Sequence, residues 1–146
     1  MNRYVRAAVW LASAADDPGG CLREWSIGPR GVVLLPAGRR WDALSVPERV
    51  GHSLLSALAR RAARRRPGPV IADRRAQQLV LLLAPGSTAP PLGRGARYLT
   101  NGTWLAVPAL DRPVSGLQWL VRPDDHGTLF TPADVYRVLD ARRAAW

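Results

Sequence analysis

Carboxylates are the first residues to weigh, because two-metal phosphoryl or nucleotidyl transfer needs them in pairs. The acids must project together from one strand, as in Asp-x-Asp, to hold metals about 3.5–4 Å apart. The chain has 11 acids, and none forms Asp-x-Asp or Asp-x-Glu in a stretch that reads as strand. Asp16-Asp17 and Asp124-Asp125 are adjacent pairs in turn-forming surroundings, where neighbouring side chains diverge. Asp73 closes a strand-like run before Arg74 and reads as a turn or ion-pair residue. Asp42 and His52 are the nearest isolated polar candidates, and neither sits in an acidic motif. Asp125 and His126 offer two ligands where a zinc site takes four, or three and a water. The sequence has no Cys-x-x-Cys, phosphate loop, dinucleotide fingerprint or nucleophile elbow. No metal, cofactor or catalytic residue is therefore expected. The lone Cys21 cannot form an intramolecular disulfide; it fits a reducing compartment and reads as a buried, inert thiol.

The opposite charge is abundant. All 21 basic residues are arginine, and the net charge is +10. The choice of Arg over Lys goes with a composition rich in Ala, Gly and Pro, so the excess of positive charge is the better signal. Such a surface attracts polyanions without reading sequence. Arg60, Arg61, Arg64, Arg65 and Arg66 lie close in sequence to Arg74 and Arg75, and Arg39-Arg40 precedes Trp41. If these clusters share a face, the arginines would contact phosphates, and Trp41 is the best-placed of the six tryptophans to stack on a base, although packing in the core or at its boundary is the default reading for each of them. Nucleic acid, DNA before RNA, is the expected partner. A solvated basic surface and an acidic protein partner are the competing readings.

The elements that must position these residues are legible in outline. Asn2 to Ala15 reads as a helix capped by Asn2, ended by the turn Asp16-Asp17-Pro18-Gly19-Gly20, with a short helix from Cys21 to Trp25. Gly31 to Leu35 is a short buried strand followed by a loop from Pro36 to Arg40. Ser45-Val46-Pro47-Glu48 has the form of a capping box and opens a long helix with Val46, Val50, Leu54 and Leu58 inward. Arg61 and Arg65 would continue that stripe, so the helix must leave the core or fray there. Pro69–Asp73 and Gln77–Ala84 form an antiparallel hairpin, because the Arg74-Arg75-Ala76 link is too short for a crossover. Pro85 to Tyr98 reads as a loop, Trp104–Val107 and Leu117–Val121 as short strands. Thr131-Pro132-Ala133-Asp134 starts a last helix, with a loose basic tail from about residue 141.

These elements predict one α+β domain over residues 1–146: a small mixed or antiparallel sheet with N-terminal, long central and C-terminal helices. No apolar run reaches the roughly 20 residues that cross a bilayer. The apolar stretch from Tyr4 to Ala15 carries Arg6 and runs into Asp16-Asp17, so neither a leader nor a membrane partner is expected, and the protein reads as cytoplasmic.

Several segments carry a family resemblance. They are Ala8-Val9-Trp10-Leu11-Ala12-Ser13-Ala14 and Trp25, Val32-Val33-Leu34-Leu35-Pro36-Ala37-Gly38, and Trp41-Asp42-Ala43-Leu44-Ser45-Val46-Pro47. Further on come Gly68-Pro69-Val70, Leu81-Leu82-Leu83-Ala84-Pro85-Gly86, Ala106-Val107-Pro108 and Trp119-Leu120-Val121. In this order the chain resembles small actinobacterial proteins grouped with the bifunctional primase-polymerase (prim-pol) N-terminal domain. The resemblance implies a compact prim-pol-like fold. Active prim-pols use an acidic pair on a strand, a further acid and a histidine, and no such residue transfers to a position here. A degenerate, non-catalytic member that binds nucleic acid or regulates is the expectation. A nucleotidyl-transfer enzyme with an atypical metal site and an adaptor for an acidic protein are the alternatives.

Overall fold

The computed structural model describes residues 2–27, 31–61, 65–86 and 92–145, the last four of these through their backbone alone. The domain is α+β, and every pairing between its strands is antiparallel. The elements are α1 (Arg3–Ala12), α2 (Pro18–Ile27), β1 (Val32–Pro36), β2 (Asp42–Pro47), α3 (Glu48–Arg61), β3 (Val70–Asp73), β4 (Gln78–Leu83), β5 (Arg97–Leu99), β6 (Trp104–Pro108), β7 (Leu117–Val121) and α4 (Pro132–Ala145). Five strands form one sheet in the order β5-β2-β4-β3-β7, and β1 and β6 form a separate two-stranded ribbon.

Alternation along the strands gives the sheet two apolar faces. On one, Leu44, Val46, Leu79 and Leu81 pack with Leu54 and Leu58 of α3 and Val135 and Val138 of α4. On the other, Ala43, Val80, Leu82 and Ile71 pack under α1, α2 and the ribbon, with Trp25, Trp41 and Trp119 in the same cluster. Two indoles bind the ribbon to the rest: Trp25 Nε1 donates to the Val107 carbonyl at 3.1 Å and Trp119 Nε1 to the Pro108 carbonyl at 3.0 Å. Gly51 lets α3 lie close on the sheet, because a Cβ there would fall 2.6 Å from Leu79 Cδ1.

The expected hairpin is present as β3 and β4, joined across residues 74–77. Asn2 caps α1, its side chain accepting from the Val5 N–H. Four local expectations give way. Ser45-Val46-Pro47 is not a capping box but the end of β2, where Ser45 pairs with Val80 on one side and Arg97 on the other. The sheet uses those residues first, and α3 begins only at Glu48. Pro18-Gly19-Gly20 does not end a helix; it is the first turn of α2. Asp17 caps that turn by accepting from the Gly20 N–H at 3.0 Å, and Pro18 takes the first helical position, where a missing N–H costs nothing. The Pro85–Tyr98 stretch includes the start of β5, with residues 87–91 outside the described ones. Finally, the helical backbone of α4 runs on through residues 141–145, where a loose tail was expected. Among the described residues no helix is long and apolar enough to cross a membrane.

Candidate nucleic-acid interface

The arginine runs of residues 60–66 and 74–75 stand at opposite ends of α3. The Glu48 N–H at the start of α3 donates to the Gln77 carbonyl beside the β3–β4 turn, at 2.9 Å. Arg74 and Arg75 stand in that turn. Arg60 and Arg61 stand at the other end of α3, and a 14-residue helix puts them about 20 Å away. Arg65 and Arg66, beyond that end, lie near acids: Arg65 meets Asp134 at 3.0 Å and Arg66 meets Asp124 at 3.8 Å. Arg39 is also engaged, bonded to Asp16 at 2.6 Å and to the Ala14 carbonyl at 3.2 Å. Arg40 is exposed beside it in the loop before β2, and Arg64 lies outside the described residues. Trp41 offers no ring to a base: it is 0% exposed, packed in the core with Leu11, Leu35 and Leu82. Its position on the buried face beneath α1 overrides its proximity in sequence to Arg39-Arg40.

The tryptophan that is accessible is Trp104, 54% exposed at the start of β6. Leu105 and Val107 point from β6 into the core, so alternation turns Trp104 the other way. It lines a cleft of about 340 Å³ between the ribbon and the open end of the five-stranded sheet. The floor is read directly from the register. Ser45 stands beside Val80 and Arg97, and Gln78 beside Asp73. The Gln78 amide nitrogen faces the Val46 carbonyl (3.0 Å), the Gly95 carbonyl (3.1 Å) and Ser45 Oγ (3.0 Å). The Ser45 hydroxyl, held against the Gln78 side-chain amide, thus stands among the residues lining the cleft.

Positive charge surrounds this cleft. Arg97 lines it from β5, and Arg94 sits in the turn with Gly95, another lining residue. Arg74 and Arg75 follow Asp73, which also lines it. The turn is held by backbone: the Arg74 N–H donates to the Gly116 carbonyl at 2.9 Å, and the Arg75 side chain lies where a Cβ on Gly116 would come within 3.0 Å. Among the described residues, none of these four arginines makes an ion pair. The one acid at the floor, Asp73, accepts from the Ala76 N–H at 3.1 Å and shapes the turn. Arg97 is level with Ile71 in the register, so Arg74 lies three strand spacings across and three residues along from it, roughly 18 Å away. The cleft thus combines an accessible indole, a hydroxyl and a cationic rim.

A second polar constellation lies on the opposite face of the sheet. Asp42 is fully buried. Its Oδ1 accepts from Thr100 Oγ1 at 2.9 Å, and its Oδ2 from the Gly86 N–H at 3.2 Å and from the Tyr98 hydroxyl. Burial, then the hydrogen bond to Asp42, pushes the Tyr98 hydroxyl far above its usual range. Burial and the Asp42 charge also push up Tyr136 on α4. The carboxylate therefore ties β2 to β5 and to the segment after β4. Among the described residues, no three of His, Cys, Asp and Glu come together where they could hold a metal. His52 is exposed on α3 beside Glu48, away from Asp42 on the sheet. Cys21 is buried, its thiol pushed up to about 11 by burial and by the nearby Asp17.

Sequence reasoning about arginine runs missed Arg94, Arg97, Trp104, Ser45 and Gln78. The signal available was alternation in Trp104-Leu105-Ala106-Val107, which sets the indole opposite the aliphatic residues. Nothing in sequence spacing brings residues 45, 78 and 97 together; only the sheet register does.

Comparison with models of known protein families, with curated proteins and with solved structures finds no match for this chain.

Proposed function

We propose that this protein is a nucleic-acid-binding or regulatory domain that works by binding rather than by catalysis. The observation that carries the proposal is the cleft beside Trp104, with Arg74, Arg75, Arg94 and Arg97 around it and free of acidic partners among the described residues. Unpaired guanidinium groups at a rim are suited to phosphates, because they present donors in a fixed fork and need not first leave a carboxylate. The segments resembling prim-pol domains support the same ligand class. Asp42, the best-placed carboxylate for a metal-dependent alternative, has its oxygens engaged by Tyr98, Thr100 and Gly86, which favours binding over nucleotidyl transfer.

The test is affinity for labelled DNA and RNA across a salt series, with Arg74→Glu/Arg75→Glu compared against Arg65→Glu/Arg66→Glu. Affinity should fall steeply with salt, and the first pair of substitutions should weaken it far more than the second. Absence of binding at low salt overturns the proposal.

A further inference from the structure

We infer that the cleft beside Trp104 seats one unpaired nucleobase, making the ligand a single strand rather than a duplex. The inference rests on the nucleic-acid reading above and specifies the part of the ligand the cleft takes. Inside a duplex both faces of a base are covered by its neighbours in the stack, so a tryptophan within a concave site can reach a ring face only on an unpaired base. Trp104 is such a tryptophan: it lines the cleft, with half its surface uncovered. The dimensions agree, since about 340 Å³ is at the small end of sites that enclose a compact ligand and is far too little for a base pair with its backbone. The floor supplies an edge contact, because the Ser45 hydroxyl among its lining residues can hydrogen-bond to a polar group of the base. Arg97 on the floor strand β5 and Arg74 at the turn of the β3–β4 hairpin flank the site roughly 18 Å apart. A backbone passing over the seated base would meet one on each side.

The chemistry recognised is one nucleotide unit, a flat base with its phosphate. A free nucleoside triphosphate offers that unit as well as a strand does, but the rim extends past the cleft on both sides and favours the strand. Such a site reads the π-face and one edge, so sequence preference should be weak.

The probes are a fluorescent oligothymidylate of roughly 20 nucleotides, a hairpin duplex of equal charge and an abasic oligomer of equal length, with ATP as competitor. The single strand should bind at least about 5-fold more tightly than the abasic oligomer, matching the loss of one stacked base. Trp104→Leu should reduce single-strand affinity by about 5- to 100-fold and leave duplex affinity within about 2-fold, and Trp104→Phe should recover part of the loss. Intrinsic fluorescence and circular dichroism establish that both variants fold. Competition by ATP at concentrations equal to the strand would assign the site to free nucleotide and overturn the strand. If Arg74→Glu/Arg75→Glu abolishes binding but duplex, abasic oligomer and Trp104→Leu all behave like the unmodified pair, nucleic-acid binding stands and the seated base is wrong. If no probe binds, both fail.

Discussion

Glu48 donates its backbone N–H to the Gln77 carbonyl at 2.9 Å, and this contact decides which arginines can act together. It joins the first residue of α3 to the turn carrying Arg74 and Arg75. The Arg60-Arg61 pair is thereby sent to the far end of the helix, about 20 Å off. Substitutions in the two groups should consequently be separable. Residues this far apart with no shared partner give additive effects within about 0.5 kcal/mol. A double-mutant cycle between Arg61→Glu and Arg75→Glu, read in nucleic-acid affinity, should show no coupling beyond that.

Trp41 should matter for folding and not for a ligand. It is fully buried among Leu11, Leu35 and Leu82, so Trp41→Ala should cost about 3–5 kcal/mol in chemical denaturation. Where Trp41→Phe folds, its nucleic-acid affinity should equal that of the unmodified protein.

Asp42→Ala should leave the Tyr98 and Thr100 hydroxyls and the Gly86 N–H without their acceptor. A buried donor left unsatisfied costs about 1–3 kcal/mol, so a loss of at least that size is expected in urea or thermal denaturation. The same cluster sets the behaviour in alkali. Tyr98 and Tyr136 are both pushed above their usual value of 10.0 in the folded state, so the unfolded chain releases those protons first. Their contribution to stability is complete below pH 10 and is lost as pH rises past it. Cys21 acts in the same direction from its usual 9.0 to about 11. Denaturation midpoints should therefore decline from about pH 9 upward, and Tyr98→Phe should flatten the decline above pH 10.

Cys21 should also resist alkylation. With its thiol buried and pushed up to about 11, very little thiolate exists at neutral pH. Labelling by iodoacetamide at pH 8 should be slow in the native protein and fast after denaturation.

Much of the architecture was legible because local chemistry and tertiary demand agree in it. Asn2 caps α1, the short Arg74-Arg75-Ala76 link forces a hairpin, and the Leu54–Leu58 stripe faces the sheet. Legibility failed where one local pattern served two ends. Ser45-Val46-Pro47-Glu48 satisfies the form of a capping box, but β2 is the central neighbour of both β4 and β5, and its pairing claims Ser45 and Val46. Pro18-Gly19-Gly20 reads as a terminator until Asp17 supplies the cap that makes it a beginning. The site was less legible than the fold. Runs of arginine are conspicuous in sequence, yet Arg39, Arg65 and Arg66 meet acids brought from other elements. Arg94 and Arg97, unremarkable as single residues, gain their importance from a register that no spacing encodes.

The most direct measurement of the central claim is nucleic-acid affinity against salt for the unmodified protein, Arg74→Glu/Arg75→Glu and Arg65→Glu/Arg66→Glu. Binding through the rim of the Trp104 cleft predicts a steep negative slope of log affinity on log salt. The Arg74/Arg75 pair should reduce that slope by about 2, and the Arg65/Arg66 pair should leave it nearly unchanged. Equal weakening by the two pairs, or a slope indifferent to Arg74 and Arg75, would contradict the account.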